Sequence, residues 1–226
     1  MISVIIAGAG CGKRVDCKPK AFIKIGGKEL IRHCIDRFKD KTQDITAVLP
    51  ARQAGKWGKK LQREYKNVRV IAGGEARQDS VKAGLHSLRK KNGIVLVHDV
   101  ARPFFSEETF DRVVKGAKKY GACIPCMPVT DTIKETDGSF IKTTLNRDKI
   151  VQVQTPQAFR YSVLADAYKK AYTDNFYGSD DAVLVENTGR KVAMVQGNAE
   201  NMKITYPADI ELAKILIKKW KKRVKA

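Results

Sequence analysis

Residues 7–20 read AGAGCGKRVDCKPK: three glycines alternate with small residues, and Lys13, Arg14, Lys18 and Lys20 follow within eight positions. An apolar run, 2–6, comes directly before them. Glycine backbone with concentrated positive charge behind it suits the wrapping of a phosphate group. Two familiar phosphate loops nearly fit. A G-x-G-x-x-G fingerprint needs glycine at 13, where Lys13 stands, and an acid near the end of the second strand that AVLPARQ lacks. A Walker A loop needs glycine at 7 and Ser or Thr at 14, where the chain has Ala7 and Arg14. Pro19 also stops the loop from running straight into a helix. What remains is a long, irregular, cationic turn suited to a triphosphate. The bland alternative is a glycine turn with incidental lysines.

A second cluster is VLVHDVARPF, 95–104. An acid after a buried strand lies at the carboxyl edge of a sheet, where α/β folds bind ligands. Asp99 can coordinate Mg²⁺ together with phosphates, and Arg102 can clamp a phosphate or carboxylate. The alternative is a structural Asp99–Arg102 pair. His98 reads as a packed strand-end histidine, not a base. In GGEARQDSV, 73–81, backbone and Ser80 can read a base edge, or simply form a capped loop. Lys203, in ENMKITYP, reads alone as a surface cation. There is no Ser–His–Asp arrangement, no defensible pair of glycosidase carboxylates and no candidate covalent nucleophile. Glycine backbone, five or more cations and one metal-capable acid fit nucleotidyl transfer, in which positioning and charge neutralisation do nearly all the catalysis.

These groups need a scaffold that brings distant segments to one edge. Apolar β-rich runs recur at 2–7, 44–49, 68–72, 93–98, 121–129, 150–154 and 191–196. Between them, apolar residues at helical spacing mark helices over 28–39, 78–90, 106–119 and 206–222. SEET opens the third with a capping-box pattern, and Pro207 opens the last. Such alternation predicts an α/β fold: a mostly parallel sheet with helices on both faces. One segment, 131–147, breaks the rhythm. Its Asp137-Gly138 pair signals a hairpin, expected to project as an arm. With no internal repeat or linker, the 226 residues are expected to form one domain.

The bulk properties narrow the classes further. No apolar run approaches the ~20 residues of a membrane helix, and the first run is too short for a signal-peptide core. A cytoplasmic protein is expected, with no membrane partner. Cys123 and Cys126 form a lone CxxC on a predicted strand, better read as small buried residues than as half a zinc site. The net charge of +20 comes from 44 Lys+Arg against 24 Asp+Glu. It raises the possibility of a nucleic-acid partner, but the lysines are spread along the chain without clustered aromatic stacking platforms, so none is expected.

The blocks AGAGCGKR…KPKAF, GGEARQDSV, VLVHDVARP, PVTDTIK, NRDKIVQVQTPQAF, SDDA and NMKIT stand in one order. In that order and spacing the chain resembles the 2-C-methyl-D-erythritol 4-phosphate cytidylyltransferases. It resembles almost as closely the ribitol 5-phosphate cytidylyltransferases, and HDVARPF leans toward the former. The resemblance implies a Rossmann-like nucleotidyltransferase fold, CTP and a polyol phosphate as substrates, and Mg²⁺ as cofactor. It implies that Arg14 and Lys20 stabilise charge on the CTP phosphates and that Lys203 contacts the α-phosphate. Arg147, assisted by Thr132 and Arg102, would hold the acceptor phosphate, with Asp99 near the metal and the acceptor diol. Ala7, Gly8, Ala9 and Gly10, with Gly12 and Lys13 in the same loop, match the nucleotide contacts together with Gly74, Glu75 and Ser80. Departures are Ala7-Gly8 for the commoner proline-alanine, Glu75 for aspartate, and SDD for Thr-Asp-Glu. The resemblance also implies a homodimer in which the arm carries Arg147 to the partner's site.

Overall fold

Runs rich in Val, Ile and Leu form strands that are buried on both faces, and the helices between them supply the covering layers. The computed structural model describes residues 1–10 and 19–223. The glycine loop's Gly12, Lys13 and Arg14 lie outside the described residues.

The chain opens with β1 (Ile2–Ala7), a short ribbon of β2 (Lys24–Ile25) and β3 (Lys28–Glu29), then α1 (Leu30–Phe38). It continues through β4 (Ile45–Leu49), α2 (Ala51–Glu64), β5 (Val68–Ala72) and α3 (Arg77–Ser87). Next come β6 (Ile94–Asp99), α4 (Glu107–Tyr120), β7 (Ala122–Pro128) and the hairpin β8 (Lys134–Asp137) and β9 (Phe140–Thr144). The last part holds β10 (Val151–Val153), β11 (Gln157–Arg160), α5 (Tyr161–Thr173), α6 (Asp181–Glu186), β12 (Ala193–Gln196) and α7 (Pro207–Arg223). Among the described residues, no helix is long and apolar enough to cross a membrane.

The main sheet runs β10-β7-β11-β6-β1-β4-β5, with β12 beside β7. β5, β4, β1 and β6 are parallel neighbours, and β12 is parallel to β7. β11 runs antiparallel between β6 and β7, and β10 is antiparallel on the far side of β7. The expected mostly parallel sheet is present, but the sequence expectation omits β11. Its four residues, QAFR, carry no apolar run, and a strand that short gains its stability from two neighbours rather than from its own pattern. Helices α2, α5 and α6 are likewise absent from the sequence expectation. In α2 the buried side is only Gly58 and Leu61 with partly buried Ala54 and Trp57, against five cations, so its apolar stripe is thin.

Strand alternation divides the core into two layers. Val4 and Ile6 of β1 join α1, α4 and α7 on one face, while Ile5 joins α3, α5 and α6 on the other. In β6 the same split sends Ile94 and Leu96 one way and Val95 and Val97 the other. The chain turns from β1 to β4 on one side and returns to β6 on the other, making a topological switch between β1 and β6. Ala7 stands opposite Asp99 in that register, so the glycine loop and the acid leave the sheet together.

The arm is a separate two-stranded ribbon. Gly138 (φ 58°) occupies the first central position of its turn, one residue later than the Asp137-Gly138 pairing suggests. Phe140 is 80% exposed and Ile141 60%, so the ribbon presents apolar side chains without cover. Cys123 and Cys126 lie buried on β7, where burial raises both thiols to about 11.

His98 is the packed histidine that the sequence suggests. It is fully buried, its ring set edge-on to Phe38 at 5.3 Å and to Phe105 at 4.9 Å. Nε2 donates to the Arg102 carbonyl (2.9 Å), which leaves Nδ1 to accept from Thr155 Oγ1 (3.0 Å). Burial lowers its pKa to about 3 against an ordinary 6.5, so the native state holds it neutral while the unfolded chain protonates. Stability from this group is therefore complete above pH 6.5 and lost as pH falls toward 3. Denaturant unfolding from pH 7 to 5 should show a stability loss approaching about 1.4 kcal/mol per pH unit from this residue. His98→Asn should remove that part of the slope, leaving the smaller part from His33, which burial also lowers. An unchanged slope would mean the ring is not held neutral.

Candidate active site

Three loops meet at the carboxyl edge. The Gly8 N–H donates to the Val48 carbonyl (2.8 Å) and the Gly73 N–H to the Leu49 carbonyl (2.8 Å), so both loops stay tied to β4 as they leave the sheet. At two points there is no room for a further side chain. A Cβ on Gly73 would stand 2.2 Å from Ala9 Cβ, and one on Gly74 would stand 2.5 Å from Asp79 Cβ. Asp79 fixes the second loop by accepting from the Ala76 N–H (3.0 Å) and from the hydroxyls of Tyr172 and Tyr177. The hydrogen bond from Tyr172 is the main reason its carboxyl is held below the ordinary range.

The resulting cleft measures about 400 Å³. Ala7, Gly8, Ala9 and Gly10 form one wall, and Gly74, Glu75 and Ser80 another. Lys20, Asp99 and Lys203 complete it with Arg77. Ser80 is nearly buried and its hydroxyl donates to the Ala76 carbonyl (3.1 Å). Lys20 Nζ donates to the Ile204 carbonyl (2.8 Å), which binds the end of the glycine loop to the segment that carries Lys203.

Asp99 sits at the centre. Its Oδ1 lies 3.0 Å from Arg77 Nε and its Oδ2 2.7 Å from Lys203 Nζ. Burial alone would raise this carboxyl, but Arg77 and then Lys203 pull it well below the usual range, so it is ionised. The structural Asp99–Arg102 pair that the sequence leaves open does not form. The Arg102 guanidinium donates instead to the carbonyls of Asn201 (2.8 Å) and Val153 (3.2 Å). Lys203 is no incidental surface cation.

A second cavity, about 380 Å³, adjoins the first and shares Arg77, Asp99 and Lys203 with it. Arg102, Thr155, Gln157 and Asp180 line its remainder. Gln157 Nε2 donates to Asp180 Oδ2 (2.6 Å), and Asp180 caps α6 by accepting from the Val183 N–H (3.1 Å). Arg102 Nε and Gln157 Oε1 are buried without a hydrogen-bond partner, so the walls have polar capacity to spare.

Thr132 and Arg147 line neither cavity of their own chain. Both are exposed at the base of the arm, where Arg147 Nη1 donates to the Thr130 carbonyl (2.9 Å). Among the described residues, no group of three His, Cys, Asp or Glu side chains is placed to hold a metal. A cation beside Asp99 would need phosphate oxygens for most of its ligands, which is how Mg²⁺ is commonly bound beside nucleotides.

Sequence reading misses Arg77, Gln157, Asp180 and Asp181 as individual residues, although they stand in quoted blocks. Arg77 left one legible trace. It is a cation in the first turn of a helix, where the dipole favours acids, so something else must hold it there.

The sequence profile of the 2-C-methyl-D-erythritol 4-phosphate cytidylyltransferases matches residues 2–219. The enzyme of that name from Clostridioides difficile is 40% identical over 222 residues, covering 96% of this chain and 94% of its own. That from Bacillus licheniformis is 39% identical, covering 95% and 94%. The crystal structure of the Thermus thermophilus enzyme superposes with a TM-score of 0.81 at 36% identity, covering 95% and 97%. A 4-diphosphocytidyl-2C-methyl-D-erythritol synthase from Anaerococcus prevotii superposes with a TM-score of 0.84 at 31% identity, covering 96% and 98%. A full-length match in sequence and fold, around a cleft at the switch point, makes the chain a member of the 2-C-methyl-D-erythritol 4-phosphate cytidylyltransferase family.

Proposed function

We propose that the chain transfers CMP from CTP to 2-C-methyl-D-erythritol 4-phosphate, releasing pyrophosphate, in the non-mevalonate route to isoprenoids. The observation that carries the reading is the pair of adjoining clefts that share Asp99 and Lys203. The nucleotide occupies the cleft between the glycine loop and residues 74–80, and the acceptor approaches through the second cavity. A phosphate monoester, with a second pKa near ~6, is already largely dianionic at neutral pH and needs no general base. Its oxygen attacks the α-phosphorus in line as pyrophosphate leaves. The obstacle is the meeting of two polyanions. Lys203 stands between the clefts to neutralise the α-phosphate, with Lys20 on the triphosphate side; Arg14, outside the described residues, takes the same role by resemblance alone. Arg102 serves the acceptor side. Mg²⁺ held by Asp99 and phosphate oxygens would add further charge neutralisation; the ionised, cleft-facing carboxylate fits it.

Arg147 and Thr132 require a second copy. The arm's exposed Phe140 and Ile141 give it an apolar surface to bury, and an isolated ribbon is marginal in water. A two-fold dimer joined through 131–147 buries that surface and delivers Arg147 to the partner's acceptor cavity.

Three outcomes follow from this reading. With Mg²⁺, pyrophosphate release should require CTP and proceed with 2-C-methyl-D-erythritol 4-phosphate far better than with ribitol 5-phosphate. The reverse preference would reassign the acceptor, and no turnover with either would refute the transfer. Lys20→Ala and Lys203→Ala should each lower kcat by ~10²-fold or more with the fold intact, whereas a loss confined to KM for CTP would make them ordinary binding residues. Finally, Lys20→Ala and Arg147→Ala proteins can be unfolded and refolded together. Random pairing makes about half the dimers mixed, each with one complete site, so roughly a quarter of wild-type activity should return. With a refolded wild-type control and a confirmed dimer mass, no recovery would mean that each site uses its own Arg147.

A further inference from the structure

We infer that Arg77 is a positioning residue for Asp99: it occupies one carboxylate oxygen and presents only the other to Lys203 and the space between the clefts. The inference rests on the proposed participation of Asp99 and Lys203 in the transfer.

The guanidinium divides its bonds between two acids. Nε meets Asp99 Oδ1 at 3.0 Å and Nη2 meets Asp181 Oδ2 at 2.7 Å. Asp181 is fully buried, and its other oxygen accepts from the Tyr168 hydroxyl (2.6 Å), itself almost fully buried. The line from Tyr168 through Asp181 and Arg77 to Asp99 therefore joins α5, α6, α3 and the end of β6. Asp181, Arg77 and Asp99 are each tied on both sides, so the Asp99 carboxylate cannot rotate without breaking a charge-assisted bond. A salt bridge serving the fold alone could pair Arg77 with Asp181 deep in the core. This one instead extends a side chain that is 29% exposed to the border shared by the two cavities.

Two consequences follow for the site. Asp99 Oδ1 is held by Arg77, while Oδ2 is paired with Lys203, whose side chain lines both clefts and can exchange it for a phosphate oxygen. The group Arg77, Lys203, Asp99 and Asp181 is also neutral in sum. Without Arg77, Asp99 would face the incoming phosphates with Lys203 as its one cation, and Asp181 would stay buried with the Tyr168 hydroxyl alone. Both effects lie in the arrangement of the reacting groups rather than in nucleotide affinity.

Removing Arg77 alone would strand a buried Asp181 and destabilise the fold whatever its role in the reaction. The test therefore uses Arg77→Lys, which keeps the charge but cannot span both acids, and the paired variant Arg77→Met/Asp181→Asn, which strands none. Both should keep a cooperative unfolding transition. In each, kcat should fall roughly 10–100-fold, while the CTP dissociation constant measured by calorimetry changes by less than about threefold. In an Asp99→Asn background the same changes should lower kcat no further, because the residue they position is gone. Full activity of the paired variant would overturn the inference, as would losses that multiply with that of Asp99→Asn. Wild-type kcat in Asp99→Asn alone would instead refute the role of Asp99, a failure of the underlying reading that is separate from any result on Arg77.

Discussion

A buried carboxylate at the end of the central strand must be kept ionised, and that requirement organises this molecule. Asp99 leaves β6 at the switch point, where burial favours its neutral form. Arg77 and Lys203 reverse that preference, and the chain is routed to bring them there. α3 starts at Arg77, and the segment before α7 crosses the same edge. Ile204 anchors that crossing: its N–H donates to the Ala101 carbonyl (2.9 Å) and its own carbonyl accepts from Lys20 (2.8 Å). Residues 20, 77, 99 and 203, remote in sequence, thus share one small volume through a few directional bonds.

The chemistry asks for little else. When the nucleophile is already an anion, an acid–base pair adds nothing, and the barrier lies in electrostatic repulsion and alignment. The site reflects this. His98, the nearest imidazole, is spent on packing and on holding Thr155 and the Arg102 carbonyl in place. Thr155 in turn accepts from the Asp99 N–H (3.1 Å), so the histidine supports the acid from behind rather than moving protons. The same economy explains two glycines: Gly73, without a side chain, lets its loop touch Ala9, and Gly74 lets Asp79 pack close behind a segment that lines the cleft.

Much of this was legible in the chain. Continuous apolar runs announce β1, β4 and β6, and the glycines after the first of them do line a cleft. Asp99 is visible because an acid ending a buried strand has to face a ligand or a partner. What stayed hidden depended on partners far away. Nothing local in QAFR indicates that β11 will be wedged between β6 and β7. Lys203 looks like any surface lysine until the fold carries it to Asp99. Arg77 appears only as a cation on the wrong end of a helix, and its two acids, 22 and 104 residues away, cannot be assigned by spacing. The arm is legible as a hairpin, but its exposed apolar face becomes apparent only once the ribbon stands clear of the sheet.

The most direct measurement is a crystal structure with CTP and Mg²⁺ bound. In it, Lys203 Nζ should have left Asp99 Oδ2 for an oxygen of the α-phosphate, while Asp99 Oδ1 remains on Arg77 and the cytosine lies between the glycine loop and residues 74–80. A nucleotide bound there with Lys203 still paired to Asp99, or a nucleotide seated elsewhere, would contradict the role given to this carboxylate and its two cations.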